Sequence, residues 1–172
     1  HPEIEARLHA ELAETLGGRL PAVDDIPRLS YTTMVFAEAL RLFPPIWSIS
    51  RQTIADDEIG GYHVPAGMPV MVSPYVTHRD PRFFADPDRF DPARFHPDHD
   101  VRKQIPRHAY VPFGGGLRQC MGEPYAWMEG TLLLATIAQR FRFQLVPDHA
   151  VLPQSMITLR PKNGVLVTLH AR

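Results

Sequence analysis

Ile4, Leu8, Leu12 and Leu16 recur every fourth residue, with mostly polar or small residues between them. That spacing places one apolar stripe on a helix. Pro2 suits its first turn, Glu3 and Glu5 its positive end, and Gly17-Gly18 its stop, so a helix is expected from Pro2 to Leu16. Asp24-Asp25-Ile26-Pro27 reads as a turn, and a second helix is expected from about Leu29 to Phe43, ended by Pro44-Pro45. From Ile46 to Ile54 the period becomes two: Trp47, Ile49 and Arg51 alternate with Ser48 and Ser50, as along a strand. Asp56 to Gly61 reads as an acidic hairpin ended by glycine, and Tyr62 to Val72 as two short strands around Pro65-Ala66-Gly67. Phe83 to His108 shows no period. Tyr125 to Phe141 is apolar on nearly every face, which predicts a buried helix. Phe141 to Val146 alternates again. Met156–Arg160 and Val165–His170 flank Pro161-Lys162-Asn163-Gly164, and Asn-Gly is a strong hairpin signal.

Composition narrows the classes. The 172 residues suffice for one domain with a real core. With 18 basic and 19 acidic residues the net charge is −1, so nothing points to nucleic acid. One cysteine excludes an intrachain disulfide framework and is compatible with a reducing, cytoplasmic setting. No apolar run reaches the ~18 residues of a membrane span. An anchor on a preceding segment stays open. The 18 prolines imply many extended and looping segments.

The chemistry gathers at Phe113-Gly114-Gly115-Gly116-Leu117-Arg118-Gln119-Cys120-Met121-Gly122. Its three consecutive glycines permit a turn closed to other residues and leave no side chain in the way of a flat ligand. Pro124 opens the helix that follows, so Cys120 lies near a helix N-terminus, where free N–H groups favour a thiolate. A lone cysteine cannot complete a tetrathiolate zinc site or an iron–sulfur cluster, but one thiolate can be the axial ligand of a haem. Arg118 is then placed to pair with a propionate.

The pattern Phe113-x-x-Gly116-x-Arg118-x-Cys120-x-Gly122 resembles the haem-binding signature of the cytochrome P-450 family. Glu38-Ala39-Leu40-Arg41 resembles that family's Glu-x-x-Arg helix motif, and Pro92-Ala93-Arg94-Phe95 its Pro-x-Arg-Phe segment. Three motifs in family order are far more specific than one. The resemblance covers essentially the whole chain. It implies a mainly α fold with small β-sheets, of which residues 1–172 are the C-terminal, haem-ligating part of one larger domain. The N-terminal half and the central oxygen-activating helix are then expected on a missing segment, and this chain alone is not expected to turn over.

By the same resemblance Cys120 is the proximal ligand of haem b (iron protoporphyrin), pushing electron density to the iron. Phe113, Gly114, Gly116, Arg118 and Gly122 cradle the cofactor, and Arg51 and His78 reach its propionates. Glu38, Arg41 and Arg94 form a structural clamp behind it. Ile46, Trp47, Ser48 and Ile49, with Met156, Ile157 and Thr158, line the substrate pocket; ordinary core and hairpin roles stay open for Trp47 and the second segment. The implied function is a haem-thiolate monooxygenase that inserts one atom of dioxygen into a small apolar substrate. Electrons come from a separate ferredoxin or reductase, since no flavin or nicotinamide fingerprint is present. The rivals are a non-catalytic haem-binding or partner-docking fragment and a peroxide-using enzyme of the same fold.

Other features carry less. Arg102, Lys103 and Arg107 form a basic cluster that suits an acidic ferredoxin or simply a solvated loop. His96 and His99 lack a third ligand and read as solvated. His78-Arg79-Asp80 matches a kinase triplet, but the asparagine needed five residues after the aspartate is Ala85.

Overall fold

The leucine stripe is the first surface to be buried. Leu8, Leu12 and Leu16 lie inside, where they join Leu29, Tyr31, Met34, Ala37, Phe95, Ala135 and Ala138 in a core of 10 residues. The computed structural model describes all residues from His1 to Arg172. Helix α1 (Pro2–Leu16) ends at Gly17, whose left-handed backbone (φ 55) lets its N–H reach the Ala13 carbonyl. A 3₁₀ turn over Val23–Arg28 replaces the simple turn expected there. Asp25 is buried in it, held by both guanidinium arms of Arg19 and by Arg28 and the Ala22 N–H. Helix α2 (Ser30–Leu42) has no side-chain cap of its own. Instead Glu11 of α1 accepts from the N–H groups of Tyr31 (2.5 Å) and Thr32 (2.8 Å). A carboxylate at the positive end of α2 thus locks the two helices together.

Four two-stranded sheets, nested as two pairs, complete the fold. Strands β1 (Ile49–Gln52) and β4 (Pro69–Val72) pair antiparallel, Ile49 opposite Val72. They enclose the hairpin of β2 (Asp57–Ile59) and β3 (Tyr62–Val64). The short helix α3 (Pro74–Thr77) follows, then a long segment with 3₁₀ turns at Pro92–Phe95, Val101–Lys103 and Gly116–Arg118. Helix α4 (Glu123–Arg140) runs into β5 (Phe141–Leu145), which pairs with β8 (Val167–Ala171) around the hairpin of β6 (Pro153–Ser155) and β7 (Leu159–Pro161). No helix is long and apolar enough to cross a membrane.

Four expectations change. The strand expected from Ile46 shortens to β1, because Trp47 uses its carbonyl for Ser73 Oγ (2.8 Å). The strands around Pro65-Ala66-Gly67 do not pair with each other; β3 joins β2 and β4 joins β1. Gly164 does adopt φ 71, yet the strands beside Asn163-Gly164 also have other partners, β6 and β5. A turn signal fixes where the chain reverses and leaves the choice of ladder to packing. Helix α4 is buried only along Thr131, Ala135 and Ala138, while Leu133 and Ile137 are 54% and 42% exposed. Its small inner residues let α4 approach α2 closely, and the opposite apolar face stays open to solvent.

That close approach depends on Gly130. A Cβ there would lie 2.3 Å from Phe36 Cζ, and the Phe36 ring is itself held edge-on to Trp127 at 5.3 Å. Alanine normally gains ~1 kcal/mol over glycine inside a helix. We expect Gly130→Ala to lose about 1–3 kcal/mol instead through overpacking, measured by denaturant unfolding, and Phe36→Leu to restore most of the loss. A stabilised single variant would contradict the packing described.

Candidate functional site

Arg41 is fully buried and uses every N–H it has. Nε and Nη2 donate to the two Glu38 oxygens at 2.7 and 2.8 Å. Nη1 donates to the carbonyls of His78 and Pro87, both at 2.7 Å, and Nη2 to that of Arg89 at 3.1 Å. Residues 38 and 41 lie one turn apart on α2, so the fork meets the carboxylate with little rearrangement. Glu38 is equally buried and also accepts from the Asp91 N–H at 2.8 Å. Arg94 approaches Glu38 at 3.5 Å, a charge contact without hydrogen-bond geometry, and donates to the Asp86 carbonyl at 2.8 Å. A buried pair holds only when further partners offset desolvation, and here the backbone of residues 78–91 supplies them. The segment without periodicity is thereby wrapped around one guanidinium.

His78 departs from its expected role. It is fully buried, with both ring nitrogens engaged by backbone. Nε2 accepts from the Val111 N–H at 2.9 Å, so Nδ1 carries the proton and donates to the Arg41 carbonyl at 3.2 Å. No nitrogen remains for a propionate. The ring stacks on Tyr110 (5.1 Å), whose hydroxyl donates to the Ala37 carbonyl at 3.0 Å. Burial pushes the His78 pKa down from 6.5 to about 4, with the Arg41 and Arg79 charges acting in the same direction.

From Val111 the chain enters the glycine turn. Gly114 N–H donates to the Val111 carbonyl (3.0 Å), and Cys120 N–H returns to the Phe113 carbonyl (2.9 Å). Gly114 and Gly116 take φ 77 and 70, the left-handed region that favours glycine. A Cβ on Gly116 would meet nothing, so the outer face of the turn is clear. Cys120 is a free, exposed thiol between the almost fully exposed Leu117 and Met121. It precedes α4, whose first N–H, on Glu123, reaches the Cys120 carbonyl at 3.3 Å. Arg118 is exposed and forms no ion pair. A Cβ at Gly122 would lie 3.7 Å from Cys120 Sγ, in ordinary van der Waals contact.

The two pocket segments named from sequence meet in space. Trp47 Nε1 donates to the Met156 carbonyl at 2.7 Å, and Leu159 N–H to that of Pro45 at 2.8 Å. This brings Ile46–Ile49 beside the loop Met156–Thr158, in which Ile157 stands 94% exposed. Ile49 Cδ1 lies 3.8 Å from where a Gly114 Cβ would be, which joins β1 to the glycine turn. Arg51 on β1 is exposed and bonds only to the neighbouring Ser50 carbonyl at 2.8 Å. Thr158 instead holds the loop, its hydroxyl accepting from Arg160 Nε at 3.0 Å. Ser48 is half-buried and makes no side-chain hydrogen bond.

Around the other side of the turn, Arg102 pairs with Asp100, and Lys103 donates to the Pro97 carbonyl. Arg107 and His108 are exposed. His96 and His99 stack on each other at 4.7 Å, and no group of three ligating side chains is present. Sequence reasoning passed over Glu123 and Trp127: Glu123 accepts from both Trp127 Nε1 and Gln119 Nε2. The spacing 119, 123, 127, four and four, was the available signal.

The family model described as Cytochrome P450 matches residues 1–168. The chain is 48% identical over 159 residues to cyclooctatin synthase of Streptomyces melanosporofaciens, covering 92% of this chain and 34% of that protein. It is 46% identical over 147 residues to cyclooctat-9-en-7-ol 5-monooxygenase of the same organism, covering 86% and 32%. With pentalenene oxygenase of Streptomyces avermitilis it shares 38% identity over 172 residues, covering 100% and 38%. The chain spans about a third of the length of these curated relatives.

Lysine cannot reproduce five donors in a planar fork, so Arg41→Lys is expected to cost several kcal/mol, about 3–5 if Glu38 is left uncompensated; denaturant unfolding reads it. A cost below ~1 kcal/mol would mean that the pair is solvated. His78 adds a pH signature. Because its folded pKa is lowered, the unfolded chain binds more protons between pH 6.5 and about 4. Stability is therefore full above pH 6.5 and falls as pH drops through that window, by on the order of 3 kcal/mol. His78→Phe should flatten that part of the unfolding-versus-pH curve.

Proposed function

This chain belongs to the cytochrome P450 family, and on that premise we propose that its protein is a haem-thiolate monooxygenase with Cys120 as the proximal ligand. The observation that carries the reading is the exposed thiol at the head of α4, on a turn in which Gly114 and Gly116 are left-handed and Gly116 faces open space. The residues present fit the group. One thiolate can take an axial position. Leu117 and Met121 offer exposed apolar surface on either side of it, suited to a flat apolar ring. Arg118 and Arg51, both exposed and free of acidic partners, suit the two carboxylates of haem b.

When bound, the cofactor supplies dioxygen activation. The chain's own residues do the rest. Cys120 donates electron density from sulfur, and N–H groups at the start of α4 moderate that donation. Gly114 and Gly116 let the backbone lie close to a ring face. Arg118 and Arg51 orient it through charge-assisted hydrogen bonds. Ile46, Trp47, Ile49 and Ile157 present apolar surface to a substrate and exclude water, and the Trp47–Met156 bond keeps the two segments together. We take the substrate to be a small, largely hydrocarbon molecule. The relatives' names, cyclooctat-9-en-7-ol 5-monooxygenase and pentalenene oxygenase, favour an unsaturated one. Electrons would arrive from an acidic ferredoxin or a reductase docking against Arg102, Lys103 and Arg107.

The test is the absorption spectrum of the full-length, haem-loaded, reduced protein under carbon monoxide. A strongly red-shifted Soret band is expected, and Cys120→Ser should abolish it. A serine variant that keeps the band would assign the ligand elsewhere.

A further inference from the structure

The turn from Phe113 to Gly122 carries two left-handed glycines and must still hold one sulfur in place. Both of its ends are tied to the same short stretch of α4. At the leading end the Phe113 ring packs on Trp127 at 5.9 Å. At the trailing end Gln119 Nε2 donates to Glu123 Oε2 at 2.5 Å. The ties share a centre, because Trp127 Nε1 donates to Glu123 Oε1 at 3.2 Å. Glu123 and Trp127 are one turn apart on α4, and Phe36 of α2 meets Trp127 edge-on. Glu123 thus receives both ties with its two oxygens. It lies half-buried at the positive end of α4 and lines a cavity of about 260 Å³ behind the turn. Arg102 and Arg107 line the same cavity.

We propose that Glu123 is a positioning residue for Cys120: through Gln119 it fixes the backbone next to the sulfur, and it places a carboxylate in the first turn of α4, three residues beyond the ligand. The proposal rests on the reading of Cys120 as the metal ligand. Backbone bonds close the turn on itself, the Cys120 N–H reaching the Phe113 carbonyl at 2.9 Å, but between Gly114 and Met121 only one side chain, that of Gln119, ties it to α4. Gly114, Gly115 and Gly116 have no side chains, and Leu117, Arg118 and Met121 point to solvent. A carboxylate near a thiolate ligand favours the oxidised, more positive metal. Removing the charge should therefore raise the reduction potential. Removing both hydrogen bonds should also loosen the ligand.

The experiment uses the full-length, haem-loaded protein with Glu123→Gln, Glu123→Ala and Cys120→Ser. Glu123→Gln keeps a carbonyl acceptor; it should retain the red-shifted carbon-monoxide band and shift the iron midpoint potential upward. Glu123→Ala should show the same upward shift and lose part of that band to an unshifted form. In the haem-free protein its Cys120 should react several-fold faster with a thiol reagent. Wild-type potentials in both Glu123 variants would overturn the proposal. An unchanged band and thiol reactivity in Glu123→Ala would do so as well. Glu123→Gln preserves the shape of α4, so its potential decides even if Glu123→Ala does not fold. Retention of the band in Cys120→Ser would overturn the ligand reading itself, a result distinct from failure of the Glu123 restraint.

Discussion

A guanidinium with all its N–H groups engaged inside the protein organises this chain. Arg41 costs desolvation to bury and is held by a carboxylate one turn away and three backbone carbonyls from residues 78–89. Those carbonyls belong to a stretch with little regular structure, and Arg41 gives it one conformation. The geometry then passes onward. His78 returns a hydrogen bond to Arg41 and receives one from Val111, and Val111 opens the turn that ends at Cys120. The residue proposed as ligand is exposed, but its backbone is linked by successive hydrogen bonds to one of the most buried charges in the protein.

The two sides of the turn are supported differently. On the α2 side the support is ionic and buried, through Glu38, Arg41 and His78. On the α4 side it is an aromatic and carboxylate contact, through Trp127 and Glu123. A flexible glycine turn can carry a precise ligand only when rigid neighbours fix both of its ends. The close packing of α2 on α4 at Gly130 and Phe36 sets the distance between these supports.

The three long helices and the family were legible in the sequence, because leucines at period four, the Glu38–Arg41 spacing and the Phe113–Gly122 signature are local patterns; the short α3 was not expected. The strand partners were not. Asn163-Gly164 announced a reversal, but the ladder each strand joined followed from nesting β6 and β7 inside β5 and β8. The clamp was legible only in part. Residue types reveal a same-face ion pair, whereas the carbonyls of His78, Pro87 and Arg89 that complete it are backbone groups with no sequence signature. The engagement of His78 was hidden for the same reason, since its partners are the Arg41 carbonyl and the Val111 N–H. The burial of α4 was overestimated because apolar composition alone does not say which face finds a partner.

The continuity from Arg41 to Cys120 is tested most directly by amide hydrogen exchange in wild type and His78→Phe. The buried core of α1 around Leu12 serves as the internal reference. The account predicts that exchange at Val111 and Cys120 quickens together in the variant while the α1 amides keep their protection. Faster exchange at Val111 with Cys120 unchanged would show that the turn holds its cysteine independently of the clamp.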